Sequence, residues 1–170
     1  MRKITLITGG QRSGKSSYAM RLALSESDCP VYLATSRIWD DEHRRRIERH
    51  QAERRTGWDN REQEKYLSLE KVNGCTIVID CVTLWCTNFF FDLESDVDKA
   101  LEALQDEFCR FVTQDAHFIF VTNEIGLGGV SENQLQRRFT DLQGWMNQYI
   151  ARHADEVILM VSGIPVTIKQ

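Results

Sequence analysis

Short apolar runs alternate with longer amphipathic stretches along most of the chain. The apolar runs are four to six residues long and rich in β-branched side chains, which is typical of strands that are buried on both faces. The sequence predicts strands over Lys3–Thr8, Val31–Ala34, Thr76–Asp80, His117–Thr122 and Glu156–Val161, with a turn over Ser162–Pro165 and a last antiparallel strand over Val166–Lys169.

The amphipathic stretches between these runs predict helices, because their apolar residues recur at three- and four-residue intervals. We expect helices over Ser16–Ser27, Asp40–Arg55, Leu84–Phe91, Asp96–Thr113 and Asn133–His153. Strands that alternate with helices form right-handed βαβ units, so the fold class is α/β with a mostly parallel sheet.

Composition and charge narrow the class of protein. Hydrophobic residues make up 42% of the 170 residues and charged residues 27%, as in ordinary globular domains, and we expect one domain over 1–170. The net charge of −4 argues against a nucleic-acid binder. No run approaches the ~20 apolar residues of a membrane span, and the five cysteines form no C-x-x-C pair. We expect a cytoplasmic protein with reduced thiols, each a small core residue.

The strongest chemical motif follows the first predicted strand. Gly9–Ser16 reads GGQRSGKS and fits G-x-x-x-x-G-K-[ST], between a strand and a helix as the motif requires. In such a loop backbone N–H groups and the helix N-terminus surround phosphates, while Lys15 reaches the β- and γ-phosphates and Ser16 can ligate Mg²⁺. The motif predicts a P-loop that binds a nucleoside triphosphate.

Asp80 is the second candidate in this site. It ends a buried strand, in the place of the Walker B carboxylate, where the carboxyl edge of a parallel sheet holds ligands. Either Asp80 helps to hold Mg²⁺ or it caps the next helix.

The predicted helix over Asp40–Arg55 is rich in arginine and carries two histidines. His43 and His50 fall on one stripe of this helix. The helix is either a solvated surface laced with Glu–Arg pairs or a basic face near a triphosphate, where a histidine can act as a nucleophile. We interpret His43, His117 and His153 as structural, while periodicity leaves His50 undecided.

Five segments together resemble one family, nearly end to end and in order. They are Ile7–Ala19 (ITGGQRSGKSSYA), Tyr32–Glu42 (YLATSRIWDDE), Arg46–Trp58 (RIERHQAERRTGW), Val121–Asn133 (VTNEIGLGGVSEN) and Ala154–Lys169 (ADEVILMVSGIPVTIK). The chain resembles the bifunctional adenosylcobinamide kinase/adenosylcobinamide-phosphate guanylyltransferases of cobalamin biosynthesis. Without the resemblance, the P-loop also permits another small-molecule kinase or an NTP-driven switch or assembly ATPase.

The resemblance implies two reactions, a fold and an assembly. A nucleoside triphosphate, ATP or GTP, phosphorylates adenosylcobinamide, and GMP from GTP is then transferred to that phosphate through a guanylyl-histidine, releasing pyrophosphate. The implied fold is a RecA-like P-loop sheet, mostly parallel, flanked by helices and closed by the antiparallel C-terminal strand. The implied assembly is a homotrimer, and the implied ion is Mg²⁺.

The resemblance also assigns site residues. The catalytic residues are His50, which matches the family nucleophile, and Lys15; the metal ligands are Ser16 and Asp80. Arg49 stands where some members have a second histidine, which leaves His50 as the candidate. The loop after Val121 is expected to face substrate, with no catalytic step given to Asn123 or Glu124. The implied nucleotide contacts are Gly9, Gly10, Gln11, Arg12, Ser13, Gly14, Lys15, Ser16, Thr35, Ser36, Arg37, Gln51, Ala52, Glu53, Arg54, Glu62 and Asp80.

Overall fold

The computed structural model describes residues 1–37 and 57–170, and its strands in these ranges form one sheet. The strands are β1 (Lys3–Gly9), β2 (Val31–Ala34), β3 (Asp59–Glu62), β4 (Thr76–Asp80), β5 (His117–Val121), β6 (Glu156–Val161) and β7 (Ile164–Lys169). The helices are α1 (Lys15–Glu26), α2 (Val82–Asp92), α3 (Val97–Phe111) and α4 (Gln134–His153), with a 3₁₀ turn at Leu67–Leu69.

The order of the strands in the sheet is β3-β2-β4-β5-β1-β6-β7. All neighbouring strands are parallel except β6 and β7, which form an antiparallel hairpin. The carboxyl ends of β1 to β6 therefore meet at one edge, and the mostly parallel α/β fold with a C-terminal hairpin is confirmed. None of the helices in the described ranges combines the length and apolar character that a bilayer crossing requires.

Successive residues of the central strands pack into two different cores, as the period of two in a strand requires. In β4, Ile77 and Ile79 join the core that contains residues of α2, α3 and α4, whereas Val78 joins the core that contains Ala19 and Ala23 of α1. Burial on both faces explains why the strand sequences show no polar alternation.

Two strand predictions need correction. The polar strand β3, with the sequence DNRE, was missed because it lies at the edge of the sheet and carries none of the apolar signal of a buried strand. The turn of the hairpin is limited to Ser162 and Gly163, which both have positive φ values, of 50° and 82°. A two-residue turn of this kind matches the twist of the strands it joins, so Ile164 and Pro165 belong to β7 instead.

The helix ends follow local capping chemistry. The side chain of Asp96 accepts a hydrogen bond from Lys99 N at the start of α3, and that of Asn133 accepts one from Gln136 N at the start of α4. These caps set the observed starts within one residue of the predicted ones. The helix predicted over Asp40–Arg55 lies outside the described residues.

The five cysteines differ in how far they are buried. All five are free thiols; Cys81 and Cys86 are buried, whereas Cys29 and Cys109 are exposed. The expectation that each is a core residue was wrong for these two, because one lies in the loop after α1 and the other on the outer side of α3.

Candidate nucleotide site at the carboxyl edge of the sheet

The P-loop joins β1 to α1 at the carboxyl edge. Gly9 has φ 155°, and a Cβ there would lie 2.7 Å from Met160 O and 2.7 Å from Ser13 Oγ, so no other residue fits without a shift. Gly14 has φ 91°, in the left-handed region, and α1 begins directly after it. The loop is thus shaped by backbone conformations that only glycine adopts readily.

The β6–β7 turn supports the P-loop, a contact that the sequence did not predict. Gly163 N donates to Ser13 O at 2.9 Å, and a Cβ on Gly14 would come within 3.2 Å of Gly163 Cα. The glycine at the turn lets the hairpin approach the loop closely. The C-terminal strand therefore helps to hold the phosphate loop in shape.

The side chain of Lys15, the first residue of α1, folds back over the P-loop. Its side chain is buried, and Nζ donates to Gly10 O at 2.6 Å and to Ser13 Oγ at 3.4 Å. Burial lowers the pKa of Lys15, and the nearby charge of Asp80 acts in the opposite direction. A desolvated cation whose hydrogen-bond partners in the described ranges are neutral groups is well placed to bind a phosphate.

Asp80 lies at the end of β4, as expected, and receives a hydrogen bond from the Tyr32 hydroxyl through Oδ2. The next residue, Cys81, is a buried thiol whose pKa burial raises to about 12, with the charge of Asp80 acting in the same direction. Cys81 is therefore neutral and is not a nucleophile at this edge.

Thr35 is buried and holds the chain that follows Asp80. Its hydroxyl donates to Cys81 O at 2.7 Å and accepts from Cys81 N at 3.0 Å. Its carbonyl accepts from Asn88 Nδ2 at 2.8 Å. The Thr35 side chain thus contacts the protein interior and fixes Cys81 beside Asp80.

Arg37 and its partners form a charged cluster beside the same edge. The guanidinium donates to Glu64 at 2.7 Å and to both carboxylate oxygens of Asp92 at 2.8 and 3.0 Å, and Lys65 Nζ lies 2.9 Å from Asp92. These hydrogen bonds raise the pKa of Arg37 and lower the pKa of Asp92. Asp92, on α2, is a positioning partner that the sequence did not indicate.

Glu62 reaches this edge because of β3. Glu62 is in register with Ala34 of β2, and Ala34 is in register with Asp80 of β4. A cleft of about 340 Å³ is lined here by Ser36, Arg37, Glu62, Gln63 and Glu64. The missed strand is therefore what brings Glu62 into line with the other predicted contacts.

The predicted site residues that the structure describes lie at or after the carboxyl ends of β1, β2, β3 and β4. The residues His50, Gln51, Ala52, Glu53 and Arg54 lie outside the described ranges, as does His43. His117 and His153 lie away from this edge: His117 starts β5 at the amino edge, and His153 ends α4 with Nδ1 at 2.8 Å from Tyr149 O. This placement agrees with the structural interpretation of both.

The chain is similar to known proteins over nearly its whole length. The family model described as cobinamide kinase / cobinamide phosphate guanyltransferase matches residues 5–168. The chain belongs to this family. It is 39% identical to the bifunctional adenosylcobalamin biosynthesis protein CobU of Escherichia coli and to that of Salmonella typhimurium, covering 96% of this chain and 98% of each relative. It is 37% identical to the corresponding CobP protein of Pseudomonas aeruginosa, covering 96% of both chains.

A solved structure shows the same fold at low identity. An ATPase from the type III secretion system of pathogenic bacteria superimposes with a TM-score of 0.56 and 10% identity, over 97% of this chain and 56% of that one. The likeness supports the P-loop fold only. Membership of the cobinamide kinase family excludes the alternative of a switch or assembly ATPase that the P-loop alone had left open.

Proposed function

We propose that the protein phosphorylates adenosylcobinamide with a nucleoside triphosphate and then transfers GMP from GTP to the product, forming adenosylcobinamide-GDP. The main support for this proposal is that the P-loop, Glu62 and Asp80 all lie at the carboxyl edge of the sheet, in a chain that belongs to the family. Both reactions use a triphosphate, and the described residues offer one P-loop for it.

In the kinase reaction, the hydroxyl oxygen of the substrate attacks the γ-phosphorus and the bond to the bridging oxygen breaks. Negative charge develops on the leaving diphosphate, and the Lys15 ammonium lies at the loop that surrounds it. Because Lys15 is already desolvated, its interaction with phosphate oxygens is strong and needs little reorganisation.

The residues proposed to hold Mg²⁺ are Ser16 and Asp80. Both are half-buried at the carboxyl edge, and among the described residues no group of three His, Cys, Asp or Glu side chains forms a protein cage for a metal. This donor set fits Mg²⁺, which takes one or two protein oxygens and completes its shell with phosphates and water. When bound, the ion neutralises phosphate charge during transfer.

In the second reaction, we propose that a ring nitrogen of His50 attacks the α-phosphorus of GTP and pyrophosphate leaves. A phosphate oxygen of adenosylcobinamide phosphate then attacks the same phosphorus, and the nitrogen–phosphorus bond breaks. The proposal rests on the match of His50 to the family nucleophile. Gln51, Ala52, Glu53 and Arg54 are proposed to contact the nucleotide near it.

The cleft beside Arg37 is proposed to receive the nucleoside. Glu62 is exposed in this cleft, where a carboxylate can accept hydrogen bonds from the N1–H and amino group of guanine. Ser36 and Arg37 line the same cleft, and Arg37 is held there by Asp92 and Glu64. Thr35 contributes by fixing Cys81 beside Asp80.

The experiment that tests the proposed function separates the two activities at His50. After incubation with α-labelled GTP, wild-type protein should carry an acid-labile, alkali-stable label, as a nitrogen–phosphorus bond requires. His50→Ala should lose the label and GMP transfer but keep part of the kinase activity. His43→Ala is the matched control, and stoichiometric labelling of His50→Ala would contradict the assignment.

The proposed quaternary state is a homotrimer of single-domain chains in the cytoplasm. What supports self-association is β7, an edge strand whose Ile164, Val166 and Ile168 are exposed. Exposed apolar edge strands are ready to pair with another surface. Light scattering after size exclusion should give three times the chain mass, and Ile168→Lys should lower it; a monomeric wild type would contradict the trimer.

A further inference from the structure

A cluster of polar side chains lies beneath the carboxyl end of β5, in a position that the described reactions do not use. Its members are Thr83 at the start of α2, Thr122 and Asn123 after β5, and Gln143 and Asn147 on α4. Thr122 and Gln143 are fully buried. Most polar groups at such depth are hydrogen-bonded, and the bonds among these side chains form a specific arrangement.

The cluster fixes Asn123 from two sides. Its backbone N and its Nδ2 both donate to Thr83 Oγ1, at 3.2 and 3.1 Å. Its carbonyl oxygen accepts from Gln143 Nε2 at 2.8 Å and from Asn147 Nδ2 at 3.3 Å. The side-chain amide is thus held through its nitrogen, and Oδ1 is the polar atom that these bonds leave for a ligand.

Gln143 is the buried anchor of the cluster. Its Nε2 also donates to Thr83 Oγ1 at 2.6 Å, whereas its Oε1 is buried and has no hydrogen-bond partner among the described residues. A buried acceptor without a partner lowers stability. Packing alone therefore accounts poorly for this glutamine, and its contacts point to the positioning of Thr83 and Asn123.

The strand order places Asn123 between the two halves of the phosphate site. β5 lies between β1, which leads into the P-loop, and β4, which ends at Asp80. Val121 is in register with Ile7 and with Asp80, and Glu124 N donates to Gly9 O at 2.9 Å. Neighbouring strands lie ~4.8 Å apart. A triphosphate that contacts the P-loop and also extends to Asp80 therefore passes over the end of β5.

We propose that Asn123 is a catalytic residue of the kinase reaction, whose amide oxygen accepts a hydrogen bond from the attacking hydroxyl of the substrate. An amide oxygen repels phosphate oxygens but binds an O–H group, which suits the acceptor and not the donor of the phosphoryl group. This assignment rests on the proposed function. Thr83 and Gln143 are positioning residues, because they act through Asn123.

In the phosphoryl-transfer step, Glu124 is the proton acceptor. The hydroxyl oxygen forms a bond to the γ-phosphorus, the bond from that phosphorus to its bridging oxygen breaks, and the nucleoside diphosphate leaves. The hydroxyl carries one proton, which is shared between Asn123 Oδ1 and the Glu124 carboxylate before the attack and passes to Glu124 as the bond to phosphorus forms. Glu124 Oε1 accepts from Gly126 N at 2.7 Å, which holds the carboxylate in the loop. Asn123 contributes orientation, since a hydroxyl aimed at the phosphorus needs no further ordering.

The test compares Asn123→Ala with Asn73→Ala. Asn73 is a matched control because it is another asparagine whose side-chain amide is hydrogen-bonded, with Oδ1 accepting from Asp115 N at 2.9 Å, but at the opposite edge. In Asn123→Ala we expect kcat for phosphorylation to fall ~100-fold with the KM for the nucleotide unchanged. Labelling of the protein by α-labelled GTP should be unchanged, because that reaction has no hydroxyl acceptor, and Asn73→Ala should match wild type in both assays.

Each other outcome overturns the assignment. Equal loss of phosphorylation and labelling would show that Asn123 only maintains the loop. If phosphorylation and labelling fall equally and a higher Mg²⁺ concentration restores both, Asn123 binds a metal-bound water instead. Normal phosphorylation by Asn123→Ala would remove it from the reaction. A wild type that becomes labelled but does not phosphorylate adenosylcobinamide would overturn the proposed kinase function, and this assignment with it.

A second pair of variants tests the positioning residues. Thr83→Val keeps the shape but removes the hydroxyl that accepts from Asn123, so kcat for phosphorylation should fall ~10-fold, the scale of one hydrogen bond. Thr83→Ser should restore it. A Thr83→Val protein with wild-type kcat would show that the cluster does not position Asn123.

Discussion

Two buried polar clusters occupy opposite edges of the same sheet, and they differ in what they leave unsatisfied. At the amino edge, His117 Nδ1 contacts Glu26 and its Nε2 lies 2.9 Å from Thr5 Oγ1, while the Thr5 hydroxyl lies 3.3 Å from Glu156. At the carboxyl edge, Asn123 Oδ1 and Gln143 Oε1 have no partner among the described residues. Asn123 is only half-buried, so its Oδ1 is the atom that the second cluster offers to a ligand.

A buried titratable residue is not by itself a sign of a catalytic site. Both ring nitrogens of His117 are bonded to protein, and the contact with Glu26 ties the end of α1 to β5. Lys15, at the other end of α1, is equally buried, but within residues 1–37 and 57–170 it donates to two P-loop oxygens that a phosphate can replace. We therefore expect substitutions at the carboxyl edge to change catalysis and those at the amino edge to change stability.

The largest effect is expected for Lys15→Ala. Both reactions should fall by about 10³-fold or more, because the desolvated ammonium contacts the phosphates during transfer. Lys3→Ala at the amino edge, where Lys3 pairs with Glu156 at 3.4 Å, is the control and should retain wild-type rates. Steady-state rates and melting curves are measured together. Near-normal kinase turnover in a folded Lys15→Ala protein would contradict the placement of the triphosphate.

Asp80→Asn should have the second-largest effect. Turnover should fall by about 10²-fold, and the Mg²⁺ concentration that gives half-maximal activity should rise. The amide oxygen can still accept from the Tyr32 hydroxyl, so folding should be little affected. Mg²⁺ titrations of wild type, Asp80→Asn and the amino-edge control Asp115→Asn check this. Superimposable titrations of wild type and Asp80→Asn would reduce Asp80 to a structural partner of the Tyr32 hydroxyl.

Glu62→Gln should change selectivity more than rate. In the nucleotidyl-transfer reaction, the ratio of activity with GTP to activity with ATP should fall about tenfold, which is the effect of one hydrogen bond to a charged group. Competition assays with both nucleotides measure it, and Glu102→Gln on the outer side of α3 is the control. An unchanged preference would assign Glu62 to the ribose or to solvent.

His117→Gln should have the smallest effect on turnover, within twofold of wild type, but it should lower stability. Losing buried hydrogen bonds to Glu26 and Thr5 should reduce the free energy of unfolding by ~1–3 kcal/mol. Denaturant unfolding and kinase assays on the same preparation check both parts. A large loss of turnover at unchanged stability would mean that the two edges are coupled through α1.

Local chemistry was enough to locate most of the fold and the phosphate half of the site. Buried strands such as Thr76–Asp80 have an apolar signal that depends only on burial, and the P-loop glycines are required by backbone conformation. Glu62 and the loop after Val121 were assigned through a family resemblance. The segment that carries His50 lies outside the described residues, so its role stays a prediction.

By itself, the sequence determined the α/β class, the position of the phosphate loop and the carboxylate that ends β4, because each depends on near neighbours in the chain. Only the tertiary structure decided what distant residues do together. It revealed that the polar strand β3 brings Glu62 into line with Asp80, that Gly163 supports the P-loop, and that α4 holds Asn123. These contacts join residues far apart in the chain, and no local pattern records which strands become neighbours.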